Sequence, residues 1–254
     1  MSSILDTYAR KPISFIRGEG NFLYTEKEEK YLDWIAGIAT NILGHSHPGV
    51  VKAIQDQSKK LMHVSNAVII KEAESLAKRI TDNTFADKVF FANSGTESIE
   101  GAIKIVRRYF HSIGKPEKNR IVGFSGAFHG RSLAALFLAN NKSHTEGFGP
   151  APEGFDQVPF GEHEALKKAI NKNTAAIICE PIQGEGGVKV VPDYCLKGLR
   201  EICDEHGILL IFDSIQVSFR TGTLLGFENS GISPDLCCVA TVSYTHLRAH
   251  ETEA

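Results

Sequence analysis

Short apolar runs alternate with helix-period segments from about residue 70 onward. That alternation predicts an α/β fold on a doubly wound, mostly parallel sheet. A second observation supports it. Ile208-Leu209-Leu210-Ile211-Phe212 is too short for a helix and apolar on both faces, as a strand covered by two helical layers must be. A third is that this run stops abruptly at Asp213, a carboxylate at the end of a strand. In open parallel sheets that edge is where ligands sit.

The elements follow in order. Residues 1–60 read as an irregular lead-in, with short strands at Asn21–Tyr24 and Lys30–Trp34. Gly44-His45-Ser46-His47-Pro48 is a turn, and its two histidines have no further metal ligands at suitable spacing. Pro48 opens a helix with Val50, Val51, Ile54 and Leu61 on one side. Glu72–Ile80 is helical, Lys88–Ala92 a strand, and Ser98–Phe110 a helix with Ile99, Ala102, Ile103, Val106 and Phe110 on one face. Arg120–Phe124 is a strand, and Ala134–Leu138 reads as another. Leu166–Ile170 is helical and Ala175–Cys179 a strand. Leu196–Glu205 is a helix ended by Gly207, followed by the Ile208–Phe212 strand and one more within Pro234–Ala240. Residues 241–254 have no usable period and look foreign, like a read-through scar; His246 and His250 there carry little weight as a metal pair.

Composition narrows the function. The 254 residues are 42% hydrophobic and 23% charged, ordinary for a globular chain, with a net charge of −2. Neither a nucleic-acid nor a membrane partner is expected from that charge. No apolar run reaches transmembrane length. Five cysteines without a C-x-x-C pair, behind a start that lacks an apolar signal core, point to reduced thiols and a cytoplasmic protein.

Three turns at strand ends carry polar groups. Asn93-Ser94-Gly95-Thr96-Glu97 joins a strand to a helix, where the first amides and the helix dipole favour an anion. The same letters also read as a capping box, Ser94-x-x-Glu97, which needs no ligand. Ser125-Gly126-Ala127-Phe128-His129-Gly130-Arg131 places an aromatic, an imidazole and a guanidinium between glycines. Phe128 suits the face of a planar ring and Arg131 a carboxylate, or the loop is a plain glycine-rich turn. Glu180-Pro181-Ile182-Gln183-Gly184-Glu185-Gly186-Gly187 adds two carboxylates and an amide. Asp213 itself reads either as a turn residue or as a charge facing a cation. Ser94, Thr96, Phe128, Arg131, Glu180, Glu185, Asp213 and Gln216 thus gather at strand ends, a set suited to pyridoxal phosphate (PLP) and an amino acid.

These stretches, with Gly44–Pro48 and Phe90–Glu97, resemble the class III PLP-dependent aminotransferases over nearly all of residues 1–240. The resemblance implies a fold-type I large domain at 61–240, incomplete, behind an N-terminal small-domain and dimer-contact part at 1–60. It implies a homodimer whose partners are a small amino acid and a 2-oxo acid. The reaction expected is transamination of N-acetylornithine with 2-oxoglutarate, in arginine biosynthesis; ornithine, succinylornithine and 4-aminobutyrate stay open as donors. By the resemblance Gly95 and Thr96 hold the cofactor phosphate, Phe128 packs on its ring, and Asp213 pairs with the ring nitrogen. Gln216 lies near the phenolic oxygen, Arg131 takes the substrate carboxylate, and Glu185 is the gate between half-reactions.

The match breaks toward the end of the chain. The family reads Val-Ala-Lys where this chain reads Val239-Ala240-Thr241, and no lysine follows Lys197. A chain lacking the Schiff-base lysine and the family's C-terminal domain, and hence a non-catalytic fragment, is therefore expected. Ser214, Ser218 and a missing glycine before Arg220 also depart from the pattern beside Gln216.

Overall fold

A computed structural model describes residues 3–240. Thr241 and the foreign-looking stretch 241–254 lie outside the described residues. The chain divides into two compact units, one up to Met62 and one from His63 onward.

The first unit is not an irregular lead-in throughout. Strands β1 (Arg17–Glu19), β2 (Phe22–Tyr24) and β3 (Lys30–Leu32) form an antiparallel sheet in that order. A short helical turn, α1 (Ala36–Ala39), follows, with Ala36 and Ile38 in the left-handed region. Asp33 holds this turn by accepting the amides of Ile35 and Ala36 and by meeting His45 Nε2 at 2.7 Å. Helix α2 (Pro48–Ser58) starts at Pro48 as expected but stops before Leu61 and buries no residue.

The second unit holds the sheet. Helices α3 (Lys71–Thr81) and α4 (Gly95–Ser112) come first, then β4 (Arg120–Phe124), α5 (Leu133–Ala139), α6 (Lys142–Thr145), β5 (Phe155–Val158) and α7 (His163–Ala169). After these come β6 (Thr174–Cys179), a small hairpin of β7 (Ile182–Gln183) and β8 (Lys189–Val190), α8 (Asp193–His206), β9 (Leu209–Asp213) and β10 (Leu236–Cys238). The five long-sheet strands run parallel in the order β10-β9-β6-β4-β5. A parallel neighbour requires a crossover, and α5, α7 and α8 supply three of them.

Both faces of the sheet are covered, as the continuous apolar strands require. On one side Val122, Ile177, Leu210 and Phe212 pack with Leu196, Leu199 and Cys203 of α8. On the other, Ile121, Ala176, Ile178 and Ile211 pack with Ile99, Ile103, Val106 and Phe110 of α4 and with Leu138 of α5. Each of the buried Val, Leu, Ile and Phe side chains among them stabilises the fold by about 1.5–3 kcal/mol. Gly123 lets α5 come close, since a Cβ there would lie 2.8 Å from the Leu138 carbonyl oxygen. Asp235 fixes β10 against β9 by accepting the Leu210 amide at 2.7 Å and Arg200 Nη1 at 2.8 Å.

Two expectations are corrected. Ala134–Leu138 lies within helix α5, not a strand. Ser132 caps it by accepting the Ala135 amide, and Ala and Leu are strong helix formers. Lys88–Ala92 is not a strand either: it belongs to none of the sheets, and Phe90 is 71% exposed. An apolar segment becomes a strand only when a neighbour completes its ladder, and among the described residues none does. Strand β5, by contrast, escaped the pattern because Phe155-Asp156-Gln157-Val158 is half polar; Asp156 is spent on a two-pronged bond to Arg120 of β4.

The exchange of backbone amides with solvent deuterium tests this correction. The amides of Val89–Ala92 are expected to exchange at loop rates, and those of Leu210–Phe212 to be among the slowest in the chain. Equal protection of the two segments would place Lys88–Ala92 in a sheet after all.

Candidate functional site

The C-terminal ends of β4, β6 and β9 meet the start of α4, and the polar residues collect at that junction. Asp213 ends β9 at 4% exposure. Its Oδ2 lies 2.7 Å from Nδ1 of His129, which is itself 1% exposed, and its Oδ1 accepts the Ile215 amide at 3.1 Å. A carboxylate so buried is stable only because these donors replace water. His129 Nε2 is buried without a protein partner among the described residues.

The loop after β4 is stitched down at several points. The Phe128 amide donates to Glu180 Oε2 at 3.1 Å, and the Arg131 amide donates to Thr96 Oγ1 at 3.4 Å. Gly130 lies between them at φ +126°, and a Cβ there would come within 2.5 Å of Thr96 Oγ1 and 3.1 Å of Thr96 Cα. The Phe128 ring is half-buried and meets His144 edge-on, with centroids 6.5 Å apart. Ser132 Oγ donates to Glu100 of α4 at 2.5 Å, one residue beyond the exposed Arg131.

At the start of α4 both readings of Ser94–Glu97 meet. Ser94 Oγ accepts the Glu97 amide at 3.3 Å and donates to the Glu97 carboxylate at 2.9 Å, so the cap is real. It leaves the Gly95 and Thr96 amides without a protein partner among the described residues, at the positive end of an 18-residue helix. Gly95 packs on Ile215, whose side chain would lie 3.1 Å from an added Cβ. Capping and anion binding are thus compatible.

The hairpin β7–β8 brings in the remaining residues. Gln183 is buried and donates through Nε2 to the Ser125 carbonyl at 3.2 Å. Gln216 packs on Gly184, where an added Cβ would clash with its Oε1. Glu185 sits exposed in the hairpin loop, near enough for its charge to act on Glu180. Burial first, then the charges of Asp213 and Glu185, push the Glu180 carboxyl up to about 9, against the pull of the Phe128 amide.

These contacts bring the segments that carry Gly95, Thr96, Phe128, Arg131, Asp213 and Gln216 to one rim of the sheet, with Glu185 exposed in the adjoining hairpin loop; Thr241 lies outside the described residues. Two members had no role assigned from sequence, His129 and Glu180. A buried Asp needs a partner, and a histidine enclosed by Phe128 and Gly130 at a strand end was the available signal for one of them.

The description "Aminotransferase class-III" matches residues 6–244. The chain is 54% identical over 238 residues to an acetylornithine aminotransferase of Agrobacterium fabrum, a match covering 93% of this chain and 60% of that protein. It thus spans about 60% of the length of that curated relative. Among solved structures it resembles the ornithine aminotransferase of Toxoplasma gondii ME49, with a TM-score of 0.88 and 29% identity, covering 94% of this chain and 57% of the other. A second structure of the Toxoplasma gondii enzyme, described with partial occupancy of PLP at its active site, aligns with a TM-score of 0.86 and 30% identity over 92% of this chain and 56% of its own.

The stitching has a measurable consequence. Gly130→Ala is expected to lower unfolding free energy by about 1–3 kcal/mol, since both backbone strain and the contact with Thr96 oppose it. Gly114→Ala is the control: its φ is +76° but nothing lies within 4 Å of an added Cβ. Urea unfolding of both variants should rank Gly130→Ala clearly worse; equal losses would mean that the loop does not rest on Thr96.

Proposed function

The chain belongs to the class-III aminotransferases, and from that premise we propose that the rim is the part of a transaminase site that holds PLP and the substrate carboxylate. The observation that carries the reading is Asp213, a buried carboxylate aimed along a strand end and held by His129. The residues fit the cofactor. Its phosphate suits the two unpartnered amides of Gly95 and Thr96 at the N-terminus of α4. Its flat ring suits Phe128, and its ring nitrogen suits Asp213.

When bound, the cofactor supplies an electron sink for the bond to the substrate's α-hydrogen. Asp213 favours the proton on the ring nitrogen, because a nearby opposite charge stabilises the charged form. His129 keeps Asp213 oriented from the side away from solvent. Gln216 is proposed to sit by the phenolic oxygen and Arg131 to grip the substrate carboxylate with two parallel hydrogen bonds. Glu185, exposed in its hairpin loop, is proposed as the gate that distinguishes the two half-reactions.

The substrates proposed are N-acetylornithine and 2-oxoglutarate, with a place in arginine biosynthesis. The support is 54% identity to a protein named acetylornithine aminotransferase. Ornithine, succinylornithine or 4-aminobutyrate is the alternative donor. We also propose a cytoplasmic homodimer in which residues 1–60 contribute to the dimer contact and small domain. The exposed Trp34, Ile35, Ile38 and Leu43 support that contact. No helix among the described residues is long and apolar enough to cross a membrane.

A second reading holds for this polypeptide. Val239-Ala240-Thr241 puts a threonine where the family pattern has the lysine that attacks the cofactor and moves the proton. Cofactor binding without turnover is the expected behaviour.

Titration of the purified chain with pyridoxal 5′-phosphate, followed by absorbance and fluorescence, tests both readings. Saturable binding is expected, weakened about tenfold (about 1.4 kcal/mol) or more in Asp213→Asn and in Thr96→Pro, which removes one of the two amides from the first turn of α4. No conversion of N-acetylornithine with 2-oxoglutarate is expected. Binding indifferent to both substitutions refutes the site, and reproducible turnover refutes the second reading.

A further inference from the structure

Two buried carboxyl groups end neighbouring strands. Asp213 closes β9, and Glu180 follows β6 directly; the two strands pair in parallel with Cys179 opposite Phe212. Both groups are nearly inaccessible, at 4% and 3% exposure. Two carboxylates in such a place cannot both be ionised without mutual repulsion and a double loss of hydration.

The donors decide which of them keeps the charge. Asp213 has the His129 ring at 2.7 Å and the Ile215 amide at 3.1 Å. Glu180 has the Phe128 amide alone, at 3.1 Å on Oε2, and no lysine, arginine or histidine forms an ion pair with it among the described residues. The other groups that face it oppose ionisation. Asp213 lies on the neighbouring strand and Glu185 on the hairpin that follows, both acidic, and His129 is committed to Asp213. On its own strand the Cys179 thiol donates to the Glu180 backbone carbonyl and leaves the side chain alone.

We propose that Glu180 is a neutral carboxylic acid in the folded chain, a positioning residue that holds the Phe128 amide and leaves Asp213 the single buried negative charge of the rim. Its elevated titration, raised by burial first and by Asp213 next, agrees with this placement of the proton. A charged Glu180 would compete with Asp213 for a ring cation and would repel a phosphate. That use rests on the functional reading above; the proton does not, and its test needs no cofactor.

The test is thermal unfolding of the chain and of Glu180→Gln from about pH 5 to about pH 10. A carboxyl whose folded value lies above its unfolded one stabilises the fold at low pH. That contribution is lost as pH climbs from the ordinary carboxylate range toward about 9. Glutamine keeps the acceptor for Phe128 and cannot titrate. The Tm of the unsubstituted chain is therefore expected to fall relative to Glu180→Gln across that window, the two curves running parallel above it. Parallel curves throughout overturn the proposal. Should the variant not fold, infrared spectroscopy of the unsubstituted chain labelled with carboxyl-¹³C glutamate decides. A protonated-acid carbonyl band must persist at neutral pH, and its absence overturns the proposal. A protonated Glu180 in a chain that fails to bind pyridoxal phosphate supports this inference and refutes the other.

Discussion

A carboxylate taken out of water must be given donors, and the Asp213–His129 bond is where this fold meets that demand. Breaking a buried pair by removing one partner costs about 3–5 kcal/mol, because the remaining group is left uncompensated. The bond spans two elements far apart in sequence, the end of β9 and the loop after β4. It draws that loop over the sheet edge. Once it is there, the Phe128 amide reaches Glu180, Gly130 rests on Thr96, and the Arg131 amide reaches the Thr96 hydroxyl. One electrostatic requirement thus registers a loop against two strands and a helix.

The sheet makes such a meeting possible. Parallel strands point the same way, so β4, β6 and β9 deliver the residues that follow them to one edge. The crossover helices cover both faces and leave that edge as the place where backbone and side-chain polar groups are not already paired. Polar residues at a strand's end can meet the donors of the following loops, whereas two positions earlier they would replace Ile178 and Ile211, which pack against Ile99, Ile103 and Val106 of α4. That is why the strands read as pure apolar runs and the chemistry begins abruptly after them.

Local structure and function share residues here without conflict. Ser94 and Glu97 satisfy the helix start, and the glycine and threonine between them keep their amides. Elsewhere the balance is unfinished. β10 is the outer strand of the five, and the apolar segment Lys88–Ala92 has no ladder to join among the described residues. Its Phe90 lies against Gly101 of α4 with most of its ring exposed. Sequence pattern marks such a segment as a strand, but a strand is a property of a pair.

By itself the sequence determined the alternation of strands and helices, the two-sided burial of β6 and β9, the position of Phe128, Arg131, Glu185, Asp213 and Gln216 after strands, and that of Gly95 and Thr96 at the start of a helix. Periodicity and turn chemistry are local, so they are legible without coordinates. The helix at Leu133–Ala139 is ambiguous in sequence because five apolar residues satisfy either period, and the serine cap three residues before Ala135 is visible only in the backbone. Strand β5 carries no strand signal of its own because its Asp156 is paired across to Arg120, a contact 36 residues away in sequence. Tertiary structure alone decided that His129 is the partner of Asp213 and that Glu180 lies beside them without a cation. Those facts concern which donors reach which acceptor when water is excluded, and no spacing along the chain encodes a distance of 2.7 Å between residues 84 positions apart.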